Sequence, residues 1–160
     1  MPIPPAAANT ATQPRFPAVQ SHTLEGHPIR LPDGLPAERT LLILGFSRGQ
    51  QPSIEAWAKG LQTLGGTNLP WLQLPVIDKP SAVVRAIVNT GMRHAIHRSI
   101  WPHIVTLYTQ KSAFEQAVGI QTEAAVHVLV VDRTGNILAR AAGDYSPQAA
   151  TQLLTALTSE

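Results

Sequence analysis

Apolar residues along this chain occur in two patterns, continuous runs and helically spaced sets. Continuous apolar runs at 40–46 and 125–131 are typical of strands that are covered on both faces. Apolar residues three and four positions apart instead predict amphipathic helices that pack one face on a sheet. The helices predicted in this way span 52–64, 80–98 and 111–118, with a last helix that starts at Ser146-Pro147, and less regular apolar segments predict further strands at 70–77, 103–109 and 137–142.

Turn-forming residues join these elements in an order that indicates a fold class. Turn residues alternating with single apolar residues predict a short hairpin over 22–36, with Gly26 at its turn, and 132–136 form a second hairpin turn. The order is therefore hairpin, β, α, β, α, β, α, β, β, α. This alternation predicts an α/β domain with a central mixed sheet flanked by helices, closed by a β-hairpin and a helix.

Two details of this scheme concern the placement of side chains. Pro75 interrupts the strand at 70–77, which predicts that this strand lies at a sheet edge or contains a bulge. The helical spacing within 80–98 predicts that its aliphatic residues face the core. These residues are Val83, Val84, Ile87 and Val88, with Ile96 as a further candidate.

The length of 160 residues predicts a single domain. Residues 1–20 are rich in proline and have no hydrophobic period, so we expect a flexible arm or a strand-like lead-in there and the domain over 21–160. The arm has neither the basic start nor the apolar stretch of a signal peptide. The compartment therefore stays open: exported, for example periplasmic, if a leader has been removed, and cytoplasmic otherwise.

Composition excludes several kinds of chemistry. The net charge of +2 offers no electrostatic argument for a nucleic-acid partner. No apolar run reaches the roughly 18 residues of a membrane span, so we do not expect an integral membrane protein. The chain contains no cysteine, which excludes thiol-disulfide and peroxidase chemistry, disulfides and cysteine-ligated metals.

The order of elements, together with two stretches of sequence, resembles the thioredoxin superfamily. One stretch is the apolar run 41–46 followed by a loop and the helix 52–64. The other is 128–137, an apolar strand with an Asp-x-x-Gly turn, followed by Gly143. The resemblance extends over 22–158 and implies a thioredoxin-like fold.

The same resemblance locates a missing redox site. Thioredoxin-like enzymes carry Cys-x-x-Cys at the start of the first long helix, where the helix N-terminus lowers the pKa of the thiol. Counting on from Phe46, the corresponding residues 51–54 read Gln-Pro-Ser-Ile. The proline that faces the thiols in that family corresponds to Ala125 and Val126 here. Both differences indicate a cysteine-less, redox-inactive branch.

Among cysteine-free proteins of this kind, the chain resembles the mitochondrial ATP-synthase assembly-factor family. The residues that carry this likeness are Phe46-Ser47-Arg48 followed by Trp57, and Val131-Asp132-Arg133 followed by Ile137 and Gly143. The resemblance implies a chaperone or assembly role rather than an enzyme, with no cofactor. It also implies a protein partner, of which a membrane-associated complex is one form.

The loop before the first long helix is one candidate site. It lies at the carboxyl end of a predicted central strand, where α/β proteins bind ligands, and at a helix N-terminus, which favours anions. Its candidate residues are Ser47, Arg48, Gln50, Gln51, Pro52 and Ser53. Three interpretations remain open: a surface for a protein partner, a site that binds or converts a small anionic ligand, and a degenerate loop that only joins strand and helix. No Gly-x-Ser-x-Gly motif surrounds either serine, so we assign no catalytic residue.

A second candidate is the segment between Asp78 and Glu115, which contains five Lys and Arg residues and no acidic residue. Such a segment can bind an acidic partner or an anionic membrane surface, or it can be a solvated helix face. The candidate residues of this basic surface are Arg85, Arg93, His94, His97 and Arg98.

Histidines suggest a third function, a metal carrier. His94 and His97 are three residues apart on the predicted helix and, with His103, have the donor type that copper, nickel and zinc accept. Copper-binding relatives of this fold use cysteines as well, so we expect no metal and a solvated helix face instead. His127 lies in an apolar strand and is expected to be a core or edge histidine.

Overall fold

The computed structural model describes residues 14–78 and 81–158. Within these ranges the chain forms seven strands, four α-helices and two short 3-10 helices. The strands are β1 (Val19–His22), β2 (Pro28–Leu31), β3 (Arg39–Gly45), β4 (Trp71–Asp78), β5 (Leu107–Thr109), β6 (His127–Asp132) and β7 (Ile137–Ala142). The α-helices are α1 (Gln51–Gly65), α2 (Ala82–Ala95), α3 (Lys111–Val118) and α4 (Pro147–Thr158), and the 3-10 helices are Arg48–Gln50 and Arg98–His103.

Five of the strands form one mixed sheet, in the order β5-β4-β3-β6-β7. β3 pairs with β4 in parallel, and β4 pairs with β5 in parallel. β6 is antiparallel to both β3 and β7. β1 and β2 form a separate antiparallel hairpin whose turn contains Gly26, at a positive φ of 101°. The predicted α/β class, element order and closing hairpin are confirmed.

Both faces of the main sheet are covered, which explains the continuous apolar runs. Successive residues of β3 point to opposite faces: Leu42 and Leu44 join one buried cluster, and Leu41 and Ile43 join the other. The first cluster includes residues of β2 and α3, and the second includes residues of α1 and α4. Ser146 caps α4, since its Oγ accepts a hydrogen bond of 3.1 Å from the amide of Ala149.

The predicted edge position of the strand around Pro75 is wrong. β4 lies inside the sheet, between β3 and β5. Pro75 is tolerated because the regular β4–β5 pairing begins only at Val76, after a single bridge between Gln73 and Ile104. The missing amide of proline therefore does not interrupt a ladder.

The predicted inward face of the helix at 80–98 is also wrong. α2 has no buried residue, and the side chains of Val83, Val84 and Ile87 are 69%, 45% and 65% exposed. The two core clusters are built from the other α-helices, the hairpin and the strands, so α2 lies outside them. The strand predicted at 103–109 begins later than expected, at Leu107, because a 3-10 helix extends through His103.

The described end of the predicted N-terminal arm is packed against the domain. Phe16 is buried in the first core cluster, with its ring 5.5 Å from that of Phe114 in an edge-to-face arrangement. The amide of Arg15 donates a hydrogen bond of 2.7 Å to the carbonyl of Ala117. Residues 1–13, which make up most of that arm, lie outside the described residues.

Candidate functional site

The loop between β3 and α1 lies at the carboxyl end of β3, as predicted. Gly45 ends the strand, and the chain then passes through the short 3-10 helix Arg48–Gln50 into α1. Pro52 occupies one of the first helical positions, where its missing amide has no cost. Ile54, Trp57 and Leu61 are buried and anchor α1 to the sheet. The loop is therefore held at both ends.

Gln50, the residue before α1, makes hydrogen bonds to two separate segments of the chain. Its Oε1 accepts a hydrogen bond of 2.7 Å from the amide of Phe46, and its Nε2 donates one of 2.6 Å to the carbonyl of Glu123. One side chain thus links the end of β3 to the segment that precedes β6. Sequence reasoning included Gln50 as a loop residue, but it did not predict this cross-link.

The neighbouring polar side chains of the loop also have partners within the protein. Gln51 donates to Glu55 at 3.2 Å and accepts from Gln73 at 3.4 Å. The hydroxyl of Ser53 donates to a carboxylate oxygen of Asp144 at 3.3 Å. These hydrogen bonds stabilise the loop, and neither serine has a histidine base among its recorded partners.

Arg48, Ser47 and Pro52 are exposed at the surface of the same loop. Of the loop residues, Arg48 has the only side chain that carries a formal charge. A guanidinium at the amino end of a helix is suited to a carboxylate or phosphate of a partner. The loop therefore presents the exposed guanidinium of Arg48 beside the hydrogen-bonded side chains of Gln50, Gln51 and Ser53.

His127 lies under this loop, at the start of β6. Its ring is 8% exposed and meets the ring of Phe46 edge-on at 6.0 Å. The Nε2 atom is 2.9 Å from the carbonyl oxygen of Thr122, to which it donates when protonated. His127 is thus the hydrogen-bonded core histidine that the apolar strand predicted.

A pair of carboxyl groups lies next to the cross-link. Glu123 forms a salt bridge of 3.0 Å with Lys111, and Glu115 lies beside it. Burial raises the pKa of Glu115 to about 7, and hydrogen bonding with Glu123 and its charge act in the same direction. Hydrogen bonds from Glu115 and Lys111 lower the pKa of Glu123. Nothing in the local sequence pattern predicted this pair.

The five residues of the predicted basic surface do not form one patch. Arg85 and Arg93 line a cavity between α2, β5 and the β1–β2 hairpin, where they are joined by Arg30 of β2. Arg98 lies elsewhere, with its guanidinium 5.5 Å from the centre of the Trp101 ring. Sequence reasoning missed Arg30 because it precedes the basic segment by more than one predicted element.

The histidines of that segment are also separated. His97 caps the following 3-10 helix, with its Nδ1 accepting from the amide of Ser99 at 3.2 Å. His103 is stacked on Trp71 with 4.4 Å between ring centres, and its Nδ1 lies 3.0 Å from the carbonyl oxygen of that residue. His94 is exposed on α2. Over the described ranges, no group of three or more His, Asp or Glu side chains is arranged to hold a metal ion.

Solved structures similar to this one share the thioredoxin-like fold. The exposed lipoprotein thioredoxin of Streptococcus pneumoniae matches with a TM-score of 0.57 at 13% identity, over 87% of this chain and 98% of its own. BsSco, of the Sco family of cytochrome c oxidase assembly proteins, matches with a TM-score of 0.59 at 13% identity, over 91% and 95%. Copper-bound yeast Sco1 matches with a TM-score of 0.62 at 13% identity, over 91% and 94%.

These similarities establish the fold class: the protein is a thioredoxin-like α/β domain without cysteine. Identities of this size show the fold alone. No protein-family model and no curated protein matches the sequence. The resemblance to the ATP-synthase assembly factors therefore stays a prediction.

The copper of yeast Sco1 belongs to that protein. The loop 47–53 of this chain offers hydroxyl, carboxamide and guanidinium groups, whereas copper(I) sites in proteins prefer thiolate and thioether ligands. The donor set of the loop does not fit copper. Across the described part of the chain, no helix is both long and apolar enough to cross a membrane.

Proposed function

We propose that this protein is a redox-inactive thioredoxin-like domain that acts by binding a protein partner, as a chaperone or assembly module. The observation that supports the proposal is the side chain of Gln50, which links Phe46 to Glu123 directly before residues 51–54, where the thioredoxin resemblance puts the thiols. A chain without cysteine cannot exchange disulfides. What the fold retains is a well-packed scaffold with exposed loops, which is suited to recognition.

The fold comparisons are compatible with an assembly role. BsSco is a member of a family of cytochrome c oxidase assembly proteins, and the pneumococcal thioredoxin is an exposed lipoprotein. An assembly function like that of the ATP-synthase assembly factors, a membrane-associated partner complex and a periplasmic location are finer parts of the same proposal. They rest on the sequence resemblance described above.

The loop around Arg48 is the first partner surface to test. The second consists of the exposed residues Arg93 of α2 and Arg98 of the 3-10 helix that follows it. The experiment is affinity capture, after chemical crosslinking in cells that produce the protein, with three baits: the wild type, Arg48→Glu, and Arg93→Glu with Arg98→Glu. We expect the wild type to recover a defined partner in stoichiometric amounts. One of the charge reversals should reduce that recovery at least about fivefold.

Two results would contradict the proposal. One is recovery that no surface variant changes, since nonspecific capture does not depend on a single surface. The other is turnover in an insulin-reduction assay, which would require redox chemistry that this chain lacks the thiols to perform. Thermal denaturation of each bait is the control, because a variant that unfolds would also lose its partner.

A further inference from the structure

A cavity of about 720 Å³ lies at the β5 edge of the main sheet, away from the loop 47–53. Its walls are the β1–β2 hairpin, one face of α2 and the edge strand β5. Ligand sites in proteins are commonly clefts of roughly 300–1,000 Å³. The cavity is therefore large enough to hold a compact organic ligand, and it is much larger than a single water molecule or monatomic ion requires.

The charge of this cavity has one sign. Arg30 from β2 and Arg85 and Arg93 from α2 all line it, and no Asp or Glu is among the residues of its wall in the described chain. The three arginines come from two elements that are far apart in the sequence. The fold therefore brings together cations that repel one another. Like charges that converge in this way favour an anionic ligand.

None of the three guanidinium groups forms a salt bridge with a residue that the structure describes. Within the described ranges two salt bridges occur, His27 with Glu25 and Lys111 with Glu123, and neither involves an arginine. Since an arginine carries its charge at any physiological pH, the cavity stays cationic. The charge requires either solvent and counterions or a bound anion.

Two of the arginines are nevertheless held in position. The guanidinium of Arg85 lies 5.5 Å from the centre of the Tyr108 ring, a cation–π arrangement. The Nε of Arg93 donates a hydrogen bond of 3.0 Å to the carbonyl of Leu24 in the hairpin, which leaves its terminal amino groups available. A guanidinium that is already oriented loses less entropy when it binds a carboxylate or phosphate.

Neutral polar groups complete the wall. The hydroxyl of Tyr108 donates a hydrogen bond of 2.9 Å to the Oδ1 of Asn89, so the amide nitrogen of Asn89 keeps both of its protons for other partners. Burial raises the pKa of Tyr108, which keeps this hydroxyl protonated. The wall thus combines fixed cations with neutral donors and has no carboxylate to repel an anion.

From this geometry we propose that the cavity between the hairpin, α2 and β5 binds a small organic polyanion, a molecule with two or more carboxylate or phosphate groups. Several cations in one cavity match several anionic groups, and each guanidinium can pair with a carboxylate or phosphate through two parallel hydrogen bonds. The Gly-rich loop that cradles the phosphates of nucleotides is absent, so the ligand is compact. This inference does not depend on the proposed partner-binding function.

Isothermal titration calorimetry with the full chain at low ionic strength tests the proposal. Citrate is the polycarboxylate probe, pyrophosphate is the polyphosphate probe, and acetate is the monovalent comparison. We expect the wild type to bind citrate, pyrophosphate or both more tightly than acetate. Binding of citrate alone would assign the ligand to the carboxylates, and binding of pyrophosphate alone would assign it to the phosphates.

The variant Arg30→Gln with Arg85→Gln removes two charges and leaves a neutral, polar side chain at each position. Both side chains are exposed, so the fold should tolerate the change. We expect affinity for the bound probe to fall about tenfold to a hundredfold. Arg93→Lys, which keeps the charge but not the planar fork, should weaken binding by a smaller factor. Arg98→Gln is the matched control outside the cavity and should change affinity less than about twofold. Arg48→Gln tests the loop 47–53 as the competing anion site.

Three outcomes would overturn the proposal. The first is a wild type that binds neither citrate nor pyrophosphate better than acetate. The second is unchanged affinity in the double variant when its far-ultraviolet circular dichroism and melting temperature match the wild type. The third is an equal loss of affinity in Arg48→Gln, which would place the anion site in the loop 47–53.

Discussion

Glu115 shows how one carboxyl group in this protein departs from its ordinary behaviour. Its Oε2 is buried without a hydrogen-bond partner among the described atoms. Its pKa is raised from 4.5 to about 7, chiefly by burial and then by the hydrogen bond and charge of Glu123 and the charge of Asp78, while Lys111 acts in the opposite direction. The folded protein therefore keeps a proton on Glu115 at pH values where the unfolded chain has released it.

The pH dependence of stability follows from that difference. Between pH 4.5 and about 7 the native state binds more protons at Glu115 than the unfolded state, so the free energy of unfolding falls as pH rises through this window. Glu115→Gln replaces the carboxyl group by an amide that is neutral at every pH. The variant should therefore not lose unfolding free energy in this pH window. We expect the difference in unfolding free energy between the variant and the wild type to increase by about 1–2 kcal/mol from pH 5 to pH 8. Urea denaturation at each pH measures this difference.

Glu55→Gln, which changes an exposed carboxylate on α1, is the control and should alter the pH profile little. The lowered pKa of Glu123 affects stability in a more acidic pH range. The stability that ionised Glu123 contributes is lost only as pH falls below 4.5, the ordinary pKa of a glutamate. Parallel pH profiles for the wild type and Glu115→Gln would contradict the assignment.

At the scale of elements, α1 and α2 show that the same hydrophobic spacing leads to different packing. α1 buries Ile54, Trp57 and Leu61, and the indole of Trp57 donates a hydrogen bond of 2.9 Å to the carbonyl of Gly143. α2 buries none of its residues. It contacts the hairpin through Arg93, which donates a hydrogen bond to the carbonyl of Leu24. It contacts β5 through Asn89, which accepts a hydrogen bond from Tyr108.

Matched isoleucine truncations test this difference. Ile54→Ala should cost about 2–4 kcal/mol of unfolding free energy, because it leaves a cavity under α1. Ile87→Ala should change the same quantity by less than about 0.5 kcal/mol, because the side chain is already in solvent. Chemical denaturation followed by tryptophan fluorescence measures both. A comparable cost for Ile87→Ala would mean that the aliphatic face of α2 is covered in solution.

At the scale of the whole molecule, the segment before β1 contributes to the core. Arg15 forms a bridge with Asn136, and Phe16 packs with Phe114 in the cluster below β3 and β4. The start of the described chain, α3 and the closing hairpin are thereby joined. Of the two expectations for this segment, the strand-like lead-in is the one that agrees with these contacts of the described residues Arg15 and Phe16.

Phe16→Ala tests whether this packing stabilises the domain. We expect a loss of about 3–5 kcal/mol in unfolding free energy, because a fully buried aromatic ring is replaced by a cavity. Leu64→Ala, which truncates an exposed apolar side chain on α1, is the control and should cost less than about 0.5 kcal/mol. Equal, small effects for the two variants would show that the segment behaves as a free arm.

The predictable features are those that depend on local pattern. The buried strands β3 and β6, the turn at Gly26 and the cap at Ser146 follow from short stretches of sequence, and the structure has them where expected. Pro75 and α2 did not follow the local pattern. Their placement depends on which neighbouring elements cover them, and residue spacing contains no information about that.

By itself, the sequence determined the class of fold and the exclusion of thiol chemistry. Strand and helix periods are local properties, and a missing cysteine is missing in any conformation. Only the tertiary structure decided that Gln50 links Phe46 to Glu123 and that Arg30 joins Arg85 and Arg93 around one cavity. Contacts between residues so distant in the chain exist only after the elements pack, because packing sets which side chains share a space.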